Sequence, residues 1–547
     1  MRYGFVIDNR KCIGCHACTV ACKSEHDVPL GVNRTWVKQV EKGTFPNTRR
    51  LFSVMRCNHC TDAPCVTICP TQALFIRADG IVDFDNRRCI GCKSCMQACP
   101  YDALYIDPET HTAAKCNYCA HRVDLGLQPA CVIVCPEHAI LSGDLDDPGS
   151  EIAQTVAREQ VTVRRADKGT RPNLFYVNGD EASLNPGATE RSEAYFWNSQ
   201  SAGVGHFARY AQSRSVNSDV LDLASRLELP QAGALPDPVQ SAPARQVEVL
   251  LGKARRVYDT PDKGLLWGRE VYTYVWTKAL SSGVVLAMGL LGTGLAGPAR
   301  LPNAAAETLA VAVGLVFLLL TGLLLVADLD QPRRFLYVLF RPQWKSWLVR
   351  GGYLITGYGA ALALWGAGLW LDVAWMRLAG GWLAYPLAFG TAVYTAFLFA
   401  QAKGRDFWQS PVLVLHMLVH AVMAGAALFA AASVLHPALG GWGEPAARLL
   451  AWSIGANLLI TAAELSLTHA NTAIEEVVHA ITRGFYRRWF WGGLVLVGNL
   501  IPMLVLTLAP AAFPSAIWLP LSATFVLAGL WIGERIWVEA PQRLPLS

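Results

Sequence analysis

Two things are scarce in this chain of 547 residues: charge, and cysteine outside the N-terminal quarter. Only 16% of the residues are charged while 52% are hydrophobic, and the mean hydropathy is positive. This composition is unusual for a soluble enzyme, so part of the chain is expected to lie in a lipid bilayer. No Lys/Arg-rich run occurs and the net charge is only +5. The composition therefore argues against nucleic-acid binding.

The chain also has no apolar run ahead of its first cysteine, Cys12, and so predicts no secretory signal. No cysteine follows Cys135. The sulfur chemistry and the apolar mass are therefore expected to belong to separate modules, which predicts at least two domains.

The sixteen cysteines fall into four groups of four. The groups are Cys12, Cys15, Cys18 and Cys22; Cys57, Cys60, Cys65 and Cys69; Cys89, Cys92, Cys95 and Cys99; and Cys116, Cys119, Cys131 and Cys135. The third group, "CIGCKSCMQACP", has the spacing in which three thiolates bind one [4Fe-4S] cube and the fourth binds a neighbouring cube. Zinc needs only four ligands and gains nothing from a third close cysteine, and disulfides would be strained at these spacings. The pattern predicts four [4Fe-4S] clusters.

The order of the groups carries a family resemblance. With "CNHCTDAPCVTICP" before the ferredoxin run and "CNYCAHRVDLGLQPACVIVCP" after it, the chain resembles the electron-transfer subunit of complex iron–sulfur molybdoenzymes. The resemblance implies that the first group pairs with the fourth and the second with the third. The implied cubes are Cys12/Cys15/Cys18/Cys135, Cys22/Cys116/Cys119/Cys131, Cys57/Cys60/Cys65/Cys99 and Cys69/Cys89/Cys92/Cys95. The chain has no domain of molybdopterin size, so a separate molybdopterin-containing catalytic subunit is implied.

Short strands are expected around the cubes, since "TQALFIRADG" and "GIVDFDNRRC" read as a hairpin at an Asp-Gly turn. The fold class is therefore an α+β ferredoxin-like iron–sulfur domain followed by an all-α bundle of eight transmembrane helices. We place the first domain at 1–185, a Pro- and Ala-rich linker at 186–265 and the membrane domain at 266–547.

Eight apolar stretches each have about the length of a spanning helix. They lie near 272–295, 304–327, 348–371, 383–402, 411–433, 447–467, 490–509 and 514–533. Two segments, "VADLDQPRRFLYVLFRPQWKSW" and "TAVYTAFLFAQAKGRDFWQSP", resemble the polysulfide-reductase-type (NrfD-like) membrane anchor, which also has eight helices.

The cations in the short loops predict the orientation. They concentrate on the side of the cysteine-rich domain, whereas the other side carries Arg300, Arg377 and Arg448. We therefore expect a multi-pass protein of the cytoplasmic (inner) membrane whose iron–sulfur domain faces the cytoplasm.

Polar side chains inside the spans gather toward this same side, which is where a quinone would meet the electron carriers. We expect Tyr394, His416 and Glu464 to take part in quinone chemistry. The expected quinone contacts, with ubiquinone or menaquinone as the quinone, are Tyr272, Tyr274, Asp328 and His420. The role of Tyr394 is implied by the resemblance, and Lys278 is expected to extend to the membrane surface.

Other interpretations of these residues stay open. His416 and His420 are four residues apart on one helix face, so they cannot be opposed axial ligands of one haem; two haems, or one shared with another helix, remain as alternatives. Either histidine could instead bond a neighbouring helix, and Glu464 could pair with a loop arginine. Tyr272 and Tyr274 could belong to an interfacial aromatic belt.

The sequence as a whole predicts an electron-transfer and quinone-binding subunit of a membrane-bound molybdopterin oxidoreductase. Because the expected catalytic side is cytoplasmic, sulfite oxidation is the leading expectation. Polysulfide, thiosulfate, tetrathionate, arsenite or formate chemistry, an ion-translocating redox module and a redox-sensing scaffold are the alternatives.

Overall fold

The computed structural model describes residues 1–44, 46–190, 254–299, 301–466, 471–508 and 514–547. The N-terminal cysteine-rich domain is built on short strands. These are β1 Tyr3–Asp8, β2 Thr35–Thr44, β3 Asn47–Arg56, β4 Leu74–Ile76, β5 Val82–Phe84, β6 Leu104–Ile106, β7 Ala113–Lys115, β8 Ile140–Asp144, β9 Val161–Thr162, β10 Leu174–Val177, β11 Thr189–Glu190 and β12 Ala254–Tyr258.

Short helices follow the cysteine loops of this domain. They are α1 Ala17–Glu25, α2 Pro64–Ile68, α3 Ser94–Ala98, α4 Ala120–Val123, α5 Ala130–Ile133, α6 Glu151–Arg158 and α7 Glu181–Leu184. The hairpin expected at the Asp-Gly turn is confirmed, because β4 pairs antiparallel with β5 and Gly80 adopts a positive φ of 80°. Strands β6 and β7 form a second antiparallel hairpin.

Two four-stranded sheets close the domain. The first has the order β8-β1-β10-β9, with β1 parallel to β10, and the second has the order β11-β12-β2-β3. The segment expected to be a linker, 186–265, lies largely outside the described residues. Its two ends nevertheless meet, because β11 pairs in parallel with β12 and β12 pairs with β2.

The C-terminal part is a bundle of long helices joined by short connections. Its helices are α8 Arg269–Gly292, α9 Ala304–Ala327, α10 Tyr337–Phe340, α11 Trp347–Trp370, α12 Ala374–Gln401, α13 Leu413–Leu435, α14 Gly443–Ser466, α15 Thr472–Thr482, α16 Trp489–Leu508 and α17 Ser515–Glu539. The first part of α16, Trp489–Leu500, has π-helical hydrogen bonding. Helix α8 lies at the centre, packed against α9, α12, α13 and α17.

Seven of the described helices are long and apolar enough to cross a membrane, rather than the eight expected. The eighth, α11, has 24 residues, as many as α8 and α9, but is not among the seven.

The long helices alternate in direction. The cysteine-rich domain lies at one end of the bundle. Helix α11 starts at that domain, where Ser346 Oγ donates to the Ile68 carbonyl at 2.6 Å. The chain also ends there, since Arg164 Nη2 donates to the carbonyl of Leu546 at 3.0 Å. Arg300, a cation assigned to the opposite side, lies outside the described residues.

A buried hydrogen-bond network joins the domain to the bundle. Arg405 donates from Nε to Gln97 Oε1 at 2.9 Å and from Nη1 to the carbonyls of Pro541 and Leu544 at 3.0 and 2.7 Å. Gln97 Nε2 in turn donates to Gln542 Oε1 at 2.5 Å. These contacts fix the cysteine loops against the helix ends.

Candidate electron-transfer site

All sixteen cysteines lie in described parts of the chain, and none of them forms a disulfide. Within the described ranges no three His, Cys, Asp or Glu side chains converge closely enough to ligate one metal ion. A [4Fe-4S] cube places its four thiolate ligands around a larger centre than a single zinc ion does.

The structure brings the cysteines together in the four sets that the family resemblance implies. One cavity is lined by Cys12, Cys15, Cys18 and Cys135, and another by Cys69, Cys89, Cys92 and Cys95. Cys22 has Cys116, Cys119 and Cys131 as electrostatic neighbours. Cys65 has Cys57, Cys60 and Cys99 as electrostatic neighbours.

The surroundings of the thiols suit an anionic centre. The Arg56 side chain is fully buried and Nη1 donates to Cys131 Sγ at 3.1 Å, while its Nε and Nη2 have no hydrogen-bond partner among the described residues. Backbone N–H groups of Gly91 and Ala113 donate to Cys89 Sγ at 3.4 and 3.3 Å. A buried cation with unused donors requires negative charge nearby, which thiolate-bound clusters supply.

The four sets follow one another in a line. Cys18 of the first set is an electrostatic neighbour of Cys131, which belongs to the second set. Cys57 of the third set is an electrostatic neighbour of Cys116, which also belongs to the second set. Cys95 of the last set neighbours Cys65 of the third. The sets are therefore ordered from the exposed Cys15 toward the helical bundle.

A largely apolar cavity of about 220 Å³ lies where the last set meets the bundle. Its lining includes Cys92, Trp267, Tyr274, Asp328 and Tyr394. The Trp267 indole N–H donates to the carbonyl of Cys92 at 3.2 Å, so one side chain touches both the cysteine loop and the cavity. The ring of Tyr394 fits there because the facing residue of α11 is Gly351, where a Cβ would overlap the ring.

Asp328 closes the cavity at the end of α9. Lys93, next to Cys92, donates from Nζ to the Asp328 carbonyl at 2.9 Å and lies 3.2 Å from Asp330 Oδ1. Burial raises the pKa of the Asp328 carboxyl to about 7, although Lys93 opposes the shift. This carboxyl is therefore easily protonated at neutral pH.

Three residues expected at the quinone do not line this cavity: His416, His420 and Glu464. His416 Nδ1 lies 2.9 Å from Glu464 Oε2, and His420 Nδ1 lies 2.7 Å from Glu534 Oε1. The two histidines face α14 and α17, whereas the cavity opens between α8, α9, α11 and α12. Glu464 pairs with His416 and with the indole N–H of Trp537 rather than with a loop arginine.

Tyr272 also lies outside the lining and packs edge-on against Trp531 at 5.3 Å between ring centroids. Two residues along a helix correspond to about 200°, so Tyr272 and Tyr274 occupy opposite faces of α8. Lys278 does not reach the membrane surface; its side chain is buried and Nζ donates to Thr395 Oγ1 at 2.7 Å. Trp267 and Glu534 were not expected from the sequence, although a buried Glu within the apolar α17 was a visible signal.

Fold and site together define a membrane-bound electron-transfer protein with ferredoxin-type clusters. The family model for polysulphide reductase NrfD matches residues 260–538, and models for 4Fe-4S dicluster domains match 48–145 and 11–74. The chain belongs to the NrfD polysulphide reductase family and carries iron–sulfur domains at its N-terminus.

Curated relatives match about a third of the chain. A tetrathionate reductase subunit of Salmonella typhimurium is 46% identical over 189 residues, 34% of this chain and 76% of the relative. A polysulfide reductase chain of Wolinella succinogenes is 41% identical over 181 residues, 32% of this chain and 94% of the relative. The arsenate respiratory reductase iron-sulfur subunit of Shewanella sp. is 34% identical over 225 residues, 32% and 96% respectively. These relatives are subunits of oxidoreductase complexes, and electron transfer is the role this chain shares with them.

Proposed function

We propose that this chain relays electrons through four [4Fe-4S] clusters between a separate molybdopterin-containing catalytic subunit and a quinone, ubiquinone or menaquinone, in the cavity lined by Tyr394, Tyr274 and Asp328. The observation that carries the proposal is the position of this cavity at the inner end of the cysteine series. Cys92 of the last set lines the cavity, and Trp267 contacts both the Cys92 loop and the cavity.

Each set of four thiolates would hold one cube, in the order Cys12/Cys15/Cys18/Cys135, Cys22/Cys116/Cys119/Cys131, Cys57/Cys60/Cys65/Cys99 and Cys69/Cys89/Cys92/Cys95. The cubes supply one-electron steps when bound. The protein positions them, shields them with apolar side chains and offers N–H donors to the sulfurs, which raises their potential.

In the cavity, the hydroxyls of Tyr394 and Tyr274 would bind quinone oxygen, and the apolar walls from α9 and α11 would hold the ring and tail. Two protons accompany the two electrons of quinone reduction. Hydroxyl and carboxyl groups at the cavity provide places for them.

The catalytic subunit would dock over the first cube. Cys15 is exposed, and the apolar side chains of Ile13, Val20 and Ile133 beside the first two sets are 55%, 64% and 54% exposed. Apolar side chains around a surface cluster are typical of a partner interface. Electrons would thus cross the domain from this face to the bundle.

We further propose that all eight long helices span the membrane with the iron–sulfur domain in the cytoplasm. Helix α11 starts on the domain side while α12 ends there, so α11 must cross the same thickness as its neighbours. The cation bias of the loops supports the orientation.

The substrate of the complex is an inorganic oxyanion or polysulfide, with sulfite oxidation as our proposal. The second candidate, tetrathionate or polysulfide reduction, is favoured by the reactions for which the relatives are named.

Purification in mild detergent tests the function. We expect a molybdopterin protein to co-purify and about sixteen irons per chain, and the reduced clusters to be reoxidised by added quinone. Tyr394→Phe is expected to slow this reoxidation without changing the iron content. An intact chain whose reduced clusters are not reoxidised by added quinone would contradict the proposal.

A further inference from the structure

A buried polar cluster lies in the bundle beside the quinone cavity. It joins His420 of α13, Glu534 of α17, Asn457 of α14 and Asn499 of α16, each at most 5% exposed. Buried titratable groups inside a membrane bundle are costly and indicate function. The roles proposed for the cavity residues leave this cluster unexplained.

The hydrogen-bond directions in the cluster follow from one backbone carbonyl. Asn499 Nδ2 donates to the carbonyl of Leu494 at 2.8 Å, so Asn499 Oδ1 is free to accept from Asn457 Nδ2 at 3.0 Å. Asn457 then presents Oδ1 to His420 Nε2 at 3.0 Å. Because this oxygen can only accept, His420 carries a hydrogen on Nε2.

The other nitrogen of His420 shares a proton with a carboxyl group. Nδ1 lies 2.7 Å from Glu534 Oε1. With Nε2 protonated, one further proton resides either on Nδ1, as an imidazolium beside a carboxylate, or on Glu534, as a carboxylic acid beside neutral imidazole. Both arrangements keep every hydrogen bond, so the pair holds one exchangeable proton.

Lys278 connects this pair to the cavity. Glu534 is its charged neighbour, and its Nζ donates to Thr395 Oγ1 at 2.7 Å and lies 4.8 Å from the ring centroid of Tyr394. The hydroxyl of Thr395 is also a hydrogen-bonding neighbour of Tyr394 and Tyr274. Both tyrosines line the cavity.

On its other side the pair leads toward the iron–sulfur domain. The ring of His416 lies 4.3 Å from that of His420, and His416 Nδ1 lies 2.9 Å from Glu464 Oε2. Glu464 stands two residues before the end of α14 on the domain side. Ser466, the last residue of that helix, is exposed.

We propose that His420 and Glu534 store one proton and form, with Lys278, a relay that exchanges protons between the quinone cavity and the iron–sulfur side of the membrane. The inference rests on the proposed quinone function. During quinone reduction Lys278 gives a proton through Thr395 and Tyr394 to quinone oxygen, and the stored proton of the pair then reprotonates Lys278. His416 and Glu464 then return a proton to the pair from the domain side, and the clusters supply the electrons.

The test uses the full chain with its clusters in lipid nanodiscs. The clusters are reduced with stoichiometric dithionite and mixed with decylubiquinone, and their oxidation is followed by absorbance in H2O and D2O. Glu534→Gln is expected to slow oxidation by about 10²-fold and enlarge the solvent isotope effect, because a general acid in the rate-limiting step is removed. Glu534→Asp is expected to recover part of the rate.

A second readout follows the proton itself. The infrared difference between oxidised and reduced chain is expected to contain a carboxyl band that Glu534→Gln removes. In vesicles with the iron–sulfur domain outward, a pH dye outside, and not one trapped inside, is expected to report proton uptake.

Glu307→Gln provides the matched control. Glu307 is a buried carboxylate at the opposite end of the bundle, paired with Arg377 at 2.6 Å, and its loss is expected to leave oxidation rate and isotope effect unchanged. Glu534→Gln with wild-type rate and isotope effect would overturn the relay alone, and proton uptake from the vesicle interior would overturn its direction. A wild-type chain that does not bind decylubiquinone would overturn the quinone function, and the relay with it.

Discussion

At the scale of single residues, side chains that touch the cysteine sets decide how the clusters are tuned. Arg56 is the strongest case, since its guanidinium is fully buried and its bonded partner is Cys131 Sγ. A positive charge held near an iron–sulfur centre stabilises the reduced, more negative state. The same charge is tolerated in the core only because the thiolates compensate it.

Arg56→Met is therefore expected to lower the potential of the second cluster by about 60 mV, corresponding to ~1.4 kcal/mol for a one-electron step. A redox titration followed by electron paramagnetic resonance measures the shift. Arg255→Met is the control, because Arg255 is 70% exposed and contacts Glu41. Equal potentials in Arg56→Met and the wild type would contradict the role of this charge.

Individual residues were only partly predictable. The sixteen cysteines and Tyr394, Tyr274 and Asp328 were singled out because metal spacing and polarity inside a span are local signals, and the structure places them in the cysteine series or at the cavity. His416, His420, Glu464 and Tyr272 were expected at a quinone site because they lie toward the same ends of their helices, and they do not line this cavity. The rotation of each helix about its axis, which separates them from the cavity, depends on packing that no single segment reveals.

At the scale of elements, close helix crossings hold the bundle around the polar cluster. Helices α8 and α13 meet at Gly283 and Gly425, where a Cβ on either residue would overlap the backbone of the other helix. Small residues allow such approaches and bring backbone dipoles into contact. The crossing lies beside Lys278 and His420, so it sets the separation between these helices.

Gly425→Val is expected to cost about 3 kcal/mol, because the added methyl groups must push α13 away from α8. Thermal unfolding in detergent, followed by the fraction retaining bound iron and helical circular dichroism, measures the loss. Gly455→Ala on α14 is the matched control, since no atom of the described residues lies within 4 Å of the added Cβ. It is expected to be neutral or stabilising by up to about 1 kcal/mol. Similar melting of the two variants would show that the crossing is not tight.

The elements themselves were predicted well where a strong period or length marked them. All eight apolar stretches are helical, and the hairpin at Gly80 forms as expected. The strands at the ends of the expected linker were not foreseen, because they pair with strands far away in sequence. The π-helical start of α16 was not foreseen either.

At the scale of the whole molecule, the contact between the two domains brings the last cysteine set to the cavity. Arg405 is central to it, since its three hydrogen bonds reach Gln97 in α3 and the chain after α17. Fusion of the domains in one chain keeps this contact at fixed stoichiometry.

Arg405→Met is expected to leave the cysteine loops able to bind their clusters but to loosen the docking by ~2 kcal/mol or more, because three buried acceptors lose their donor. The expected result is normal iron content with slower oxidation of the clusters by quinone. Lys403→Met, two residues away in the same loop, serves as the control. Unchanged oxidation in Arg405→Met would show that docking does not limit electron transfer.

The sequence by itself determined the cluster-binding cysteines, the membrane character and the motifs of the family. Cysteine spacing and the length of an apolar stretch are properties of short contiguous segments. The tertiary structure alone decided which polar residues face the cavity, that Trp267 and Cys92 meet at its wall, and that Glu534 pairs with His420. The physical reason is that these contacts join residues hundreds of positions apart. Their meeting depends on helix rotation, on close crossings and on the docking of two domains, none of which a local pattern encodes.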